Sequence, residues 1–352
     1  IDPTIYKNVY NNIADNEDMN KETKTSKGVA IPTLAGIARK IARLEGTQMD
    51  KKQYVAYEVL CCTFLLDLIK EANNPDTELC SHLQEAIGAK CNNGTIKKLV
   101  KELKIRGGHE QLIMFLSGPA GAGATKVAYR FCFEICHAVG TMWNDATYLF
   151  TAYTGAAAMA IGGLTICKAA FILSKKNELT EEDKRMWRQV RIVIIDEISF
   201  MSDDQFITLD RRLKQMKDRN KPFGGYSIVF AGDFRQLEPN GAKASQLLFS
   251  NQSSQYWERT INVVLILNNE HRFKDDTLLG QMLTTMSEMN SQGTGENGST
   301  HINWLDPTSN CLRNFPITRR SATQYHTTRI GMQSPRTTSE TPFWPHTHLY
   351  VV

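Results

Sequence analysis

No C-x-x-C pair occurs in this chain, and its eight cysteines show no Cys/His spacing suited to zinc. Their scatter excludes a disulfide framework and fits a reducing, intracellular compartment. Cys132 and Cys136 lie one helical turn apart, a spacing we read as two buried free thiols. No secretory leader, targeting segment or membrane span is visible, since the longest apolar run, residues 59–66, is far too short to cross a bilayer. Strong charge of either sign is also lacking. The net charge of +4 permits a nucleic-acid partner without arguing for one. What is present is 352 residues with 41 % apolar content, enough for one large domain or two small ones. The first residue is Ile1, so we read the chain as a piece of a longer reading frame.

Four stretches differ in character. Residues 1–28 are rich in Asn, Asp and Lys and read as a loose polar arm. Residues 29–108 read as a helical segment. Gln53 to Lys70 has no breaker, and Ile96, Leu99, Val100 and Leu103 mark one face of an amphipathic helix whose other positions carry Lys97, Lys98, Lys101 and Lys104. Those lysines suit a solvated face better than a phosphate backbone. Over residues 109–290, apolar runs at 112–117, 148–152, 191–196, 226–231 and 261–267 alternate with helical segments. Buried runs separated by helices predict an α/β domain with a mostly parallel sheet. Thr180 followed by Asp183 predicts a helix start. Residues 291–352 are full of Thr, Ser, Pro, Arg and His, with no sustained apolar period. They read as a disordered tail or as a stretch translated out of its original frame.

Three segments carry chemistry. In the first, an apolar run enters Gly118-Pro119-Ala120-Gly121-Ala122-Gly123-Ala124-Thr125. This is the phosphate-loop pattern G-x-x-x-x-G-K-[ST], with Ala124 where the lysine belongs. Backbone N–H groups of Ala120, Gly121, Ala122 and Gly123 can still wrap phosphates, and Thr125 offers a hydroxyl to Mg²⁺. A ligand-free turn between strand and helix is the alternative. In the second, the apolar run at 192–195 ends in Asp196-Glu197. Asp196 suits a magnesium ligand, and Glu197 suits a base for an attacking water. The third is Gly232-Asp233-Phe234-Arg235-Gln236-Leu237, where Gln236 can report a γ-phosphate and an ordinary Gly-Asp turn is the alternative.

Together with Thr151-Ala152-Tyr153-Thr154-Gly155-Ala156-Ala157-Ala158 and Asn269-Glu270-His271-Arg272-Phe273, these segments resemble RecD-like superfamily 1B helicases. Within that group they are most similar to the petite-integration-frequency family of 5′→3′ DNA helicases, including the helicase portion of Helitron transposons. The motifs stand in family order, and the resemblance covers about residues 45–285. It implies a RecA-like P-loop NTPase domain, ATP with Mg²⁺ as cofactors, single-stranded and duplex DNA as partners, work in DNA repair and recombination, and a nuclear or mitochondrial location. It also implies that Thr154 and Gly155 touch the strand backbone, that Arg272 reaches the γ-phosphate and that Gln53 reads adenine. Tyr153 replaces the family's proline. Stacking on a base and plain packing are equal readings for it. Nothing after Asn290 resembles the family's second RecA-like domain, so a single motor domain is expected.

The lysine missing at position 124 is a point charge on the β- and γ-phosphates. Losing one preorganised group of this kind costs on the order of 3–4 kcal/mol in the transition state. Lys126 leaves the helix from nearly the opposite face by turn angle, which predicts no rescue. Two function classes follow: an ATP-dependent helicase by descent, impaired by Ala124, or a catalytically inactive remnant that binds nucleotide and single-stranded DNA. An engineered ATPase-dead variant would read the same way. Oligomeric state is not legible.

Overall fold

The computed structural model describes residues 30–46, 48–72, 77–89, 95–118, 121–234, 252–267 and 350–351. The expected polar arm and almost all of the 291–352 tail lie outside them.

Four helices come first: α1 (Leu34–Glu45), α2 (Lys51–Glu71), α3 (Thr77–Ala86) and α4 (Ile96–Ile105). Their starts are written locally. The Thr33 hydroxyl accepts from the Gly36 amide at 3.0 Å. Asp50 and Gln53 form a reciprocal capping box, with Asp50 Oδ1 accepting from the Gln53 amide and Gln53 Oε1 accepting from the Asp50 amide. From Gln53 to Leu66, every residue of α2 is buried. A helix buried on all sides must lie between other layers. In α4, Leu99 and Leu103 are buried, while Lys97, Lys98, Lys101 and Lys104 are exposed, as the period predicted.

The α/β region continues through β1 (Ile113–Ser117), α5 (Gly121–Ala138), β2 (Tyr148–Ala152), α6 (Gly155–Ala160), β3 (Leu164–Thr165), α7 (Ile166–Ala169) and α8 (Glu181–Lys184). It then runs through β4 (Ile192–Asp196), α9 (Asp203–Met216), β5 (Ser227–Gly232), α10 (Gln252–Thr260) and β6 (Val263–Ile266), and Tyr350–Val351 forms β7. The sheet order is β3-β2-β4-β5-β1-β6-β7. Every pairing is parallel. The mostly parallel sheet expected from the apolar runs is therefore present, and the strand bounds differ from the runs by a residue or two. Thr180 and Asp183 form the expected capping box, but α8 ends after four residues and a 3₁₀ turn (Met186–Gln189) follows.

Alternation along each strand divides the core in two. Met114, Leu116, Ile192, Ile194, Val229, Val263 and Leu265 face one side of the sheet, against α1, α2, α3, α4 and α5. Ile113, Phe115, Val193, Ile195, Ile228 and Phe230 face the other side, against α7, α9 and α10. Period-two side chains buried on both faces are what a three-layer α/β/α arrangement requires. The 29–108 helices thus share one core with the sheet, and Gly107-Gly108 ends α4 without ending the packing.

Arg106 ties two helices of that layer through a pair of ion pairs. Arg106 Nη1 donates to Glu58 at 3.0 Å, and its Nε donates to Glu102 at 2.9 Å. The Glu58 side chain is only 3 % exposed. Burial raises its pKa above the ordinary 4.5, and Arg106 opposes the rise.

Candidate functional site

Because the strands are parallel, the carboxyl ends of β1, β4 and β5 meet at one edge. The register sets Ser117 beside Gly232 and Ala152 beside Asp196. Crevices outside such strand ends are where open α/β sheets take ligands.

β1 leaves the sheet at Gly118, whose φ is +118°. The Gly118 amide donates to the Gly232 carbonyl at 3.3 Å. A Cβ at this position would sit 2.3 Å from the Leu267 carbonyl oxygen. Both the conformation and the space demand glycine. We expect Gly118→Ala to introduce backbone strain on the order of 1–3 kcal/mol in addition to the clash. Urea unfolding should show the loss, and a variant as stable as the parent would contradict this account of the turn.

The helix after the loop starts at Gly121, so Gly121, Ala122 and Gly123 form the first turn of α5. Pro119 and Ala120 lie outside the described residues. Ala124 is fully buried and opens a stripe that continues through Val127, Ala128, Phe131, Cys132, Ile135 and Cys136. The spacing of three and four residues is that of one helix face. Cys132 and Cys136 are free and buried, as expected. Thr125 is also buried, and its carbonyl accepts from the Tyr148 hydroxyl at 3.0 Å, tying the first turn of α5 to β2.

Thr125 and Asp196 line the same small cavity, together with Lys126, Phe150, Ile161, Ile194 and Ala231. One hydroxyl and one carboxylate are hard oxygen donors suited to Mg²⁺ that keeps water and phosphate ligands. Among the described residues no cluster of three or more His, Cys, Asp or Glu could hold a metal ion by itself. The pair therefore fits a magnesium ion that arrives with a nucleotide. Lys126, exposed on α5, is among the residues that line this cavity.

Glu197 follows in a left-handed conformation (φ 55°), its amide donating to Asp196 Oδ1 at 2.9 Å. Its carboxylate Oε2 accepts from the Thr154 hydroxyl at 2.5 Å. The Tyr153 amide donates to the Asp196 carbonyl at 2.9 Å, and the Tyr153 hydroxyl donates to Gln205 at 2.9 Å. The Tyr153 ring stacks on Phe200 at 6.4 Å between centroids. Tyr153 and Thr154 are thus clamped to residues 196–205. Sequence reasoning missed this clamp, although the capping box of Ser202 and Gln205 was readable as S-x-x-Q.

Gln53 also reaches the loop. It is buried, and its Nε2 lies 3.8 Å from where a Cβ on Gly123 would be. At the end of β5, the Phe234 ring packs 5.3 Å from Phe115, so Asp233-Phe234 is anchored in the core. Gln236 and Arg272 lie outside the described residues.

A parallel sheet covered on both faces, with a Gly-rich turn after β1 and an acidic pair after β4, is a RecA-like P-loop NTPase domain. A family model described as PIF1-like helicase matches residues 95–292, more than half of the chain, and the chain belongs to that family. It is 31 % identical over 176 residues to the human ATP-dependent DNA helicase PIF1, covering 47 % of this chain and 26 % of that protein. It is 33 % identical over 200 residues to ATP-dependent DNA helicase Pif1 of Psychrobacter sp. (strain PRwf-1), covering 53 % of this chain and 28 % of that protein. A crystal structure of Pif1 helicase from Bacteroides, in complex with ADP-AlF3 and ssDNA, aligns with a TM-score of 0.42 and 21 % identity over 56 % of this chain and 47 % of that one. The chain spans about a quarter of the length of these curated relatives, and the match covers a single motor domain. No described helix is long and apolar enough to cross a membrane.

Proposed function

We propose that this sheet edge binds ATP with Mg²⁺, and that the chain is the nucleotide-binding half of an ATP-dependent 5′→3′ DNA helicase motor, with turnover suppressed by Ala124. The observation that carries the reading is the convergence of Thr125, Asp196, Glu197 and Thr154 on one edge beside the Gly118 turn. In this reading the amides of Ala120, Gly121, Ala122 and Gly123 hold the phosphates, and Thr125 and Asp196 hold the metal. Bound there, Mg²⁺ neutralises charge on the phosphate oxygens. Glu197 orients the attacking water and takes its proton. Gln236 senses the γ-phosphate, Arg272 stabilises charge that develops on it, and Gln53 meets the adenine. Thr154 and Gly155 touch single-stranded DNA, with Tyr153 packed behind them. In this reading the work is done in the nucleus or the mitochondrion.

The second reading, a binding module without turnover, is favoured by Ala124 itself, because no cation stands at the position of the phosphate-loop lysine. Binding of a fluorescent ATP analogue tests the site under either reading. We expect weak binding that strengthens with magnesium, and we expect Asp196→Ala to abolish the magnesium-dependent part. Affinity that is indifferent both to EDTA and to Asp196→Ala would refute the assignment of this edge.

A further inference from the structure

One hydroxyl at this edge holds the carboxylate of Glu197. The Thr154 hydroxyl carries a single proton and gives it to Glu197 Oε2. Its oxygen accepts from the Ala157 amide at 3.3 Å, which fixes the rotamer and caps α6. The single proton of the hydroxyl is therefore committed to Glu197. The backbone adds a rigid link, because the Tyr153 amide is bonded to the Asp196 carbonyl and the Tyr153 hydroxyl to Gln205. Thr154 thus cannot move without disturbing the Asp196-Glu197 turn, and Glu197 cannot swing without giving up its hydroxyl donor.

We propose that Thr154 is a positioning residue that links strand occupancy to Glu197. The link rests on the reading that Thr154 and Gly155 touch a single-stranded DNA backbone. In the free chain the hydroxyl holds the Glu197 carboxylate in place and occupies one of its oxygens. A strand phosphate arriving at the loop takes over the same donor. The hydroxyl turns to a phosphate oxygen, and Glu197 is released to orient water. No bond to carbon, nitrogen or phosphorus is made or broken in this exchange; one hydrogen bond replaces another. The consequence is reciprocal, because a site that must give up its bond to Glu197 before binding DNA binds DNA more weakly than one without that bond.

The test needs neither nucleotide nor turnover. The affinity of the full chain for a fluorescein-labelled oligothymidylate is measured by anisotropy for the parent, Glu197→Ala, Thr154→Val and the double variant. A hydrogen bond to a charged group is strong enough that its removal should tighten binding roughly tenfold. We expect Glu197→Ala to tighten binding by that factor when Thr154 is present, and to lose this excess in the Thr154→Val background. Thr154→Ser, which keeps the hydroxyl, should restore the excess. Equal tightening by Glu197→Ala in both backgrounds would mean a bulk charge effect and would overturn the proposal, as would no tightening at all. Should Thr154→Val not fold, Glu197→Gln replaces it as the control. Its amide oxygen still accepts the hydroxyl, so less tightening than with Glu197→Ala is expected, and equal tightening would overturn the proposal. If the parent itself does not bind the oligonucleotide, the DNA reading falls and the link with it. Parent binding that Glu197→Ala leaves unchanged removes the link alone.

Discussion

Ala124→Lys is expected to strengthen nucleotide binding and to raise the rate of phosphate release on the order of a hundred- to a thousandfold, the usual effect of one preorganised charge on a transferring phosphoryl group. The structure adds a condition that the sequence did not show. Position 124 opens the buried stripe of α5, and Ala124 is fully buried in the core beneath the loop. A lysine there must run its stem along apolar surface and bring its amine out at the phosphates. Stability should fall with the gain in affinity, by about 1–3 kcal/mol if the stem overpacks the stripe. Thermal unfolding and binding of a fluorescent ATP analogue check the two halves together. A folded Ala124→Lys variant with unchanged affinity would place the phosphates elsewhere.

Arg106→Ala is expected to cost about 3–5 kcal/mol of stability, because it leaves a buried carboxylate without its cation. Glu58 is 3 % exposed and has Arg106 as its partner across from α4. The pH dependence has a definite sign. Burial already raises the folded-state pKa of Glu58 above 4.5, so its contribution favours the fold below that pH and is lost as pH rises through the folded value. Removing Arg106 raises the folded value further and carries the loss to higher pH. The stability gap between the parent and Arg106→Ala should therefore be small near pH 4 and widen toward neutrality in urea titrations. A gap that narrows with rising pH would contradict the pairing. Arg106→Ala with Glu58→Leu should recover much of the loss, since an apolar residue of similar volume needs no partner.

The strands were legible because they are buried on both faces. Residues 192–195 form a continuous apolar run for the same reason that Val193 and Ile194 face opposite cores. The helix start at Thr180 followed from a local side-chain bond, which a short sequence pattern records. The layer that the first helices occupy was not legible, since the uniform apolarity of Gln53 to Lys70 indicates burial without saying against what. Nor was the bond between Thr154 and Glu197, because residues so far apart in the chain meet only through the β2–β4 register.

Phosphate release by the chain with Ala124 in place, measured with and without single-stranded DNA in saturating ATP and magnesium, tests the central claim most directly. The account predicts no release above background under either condition. DNA-stimulated turnover approaching that of a full-length relative would contradict it, and would show that this site works without the phosphate-loop lysine.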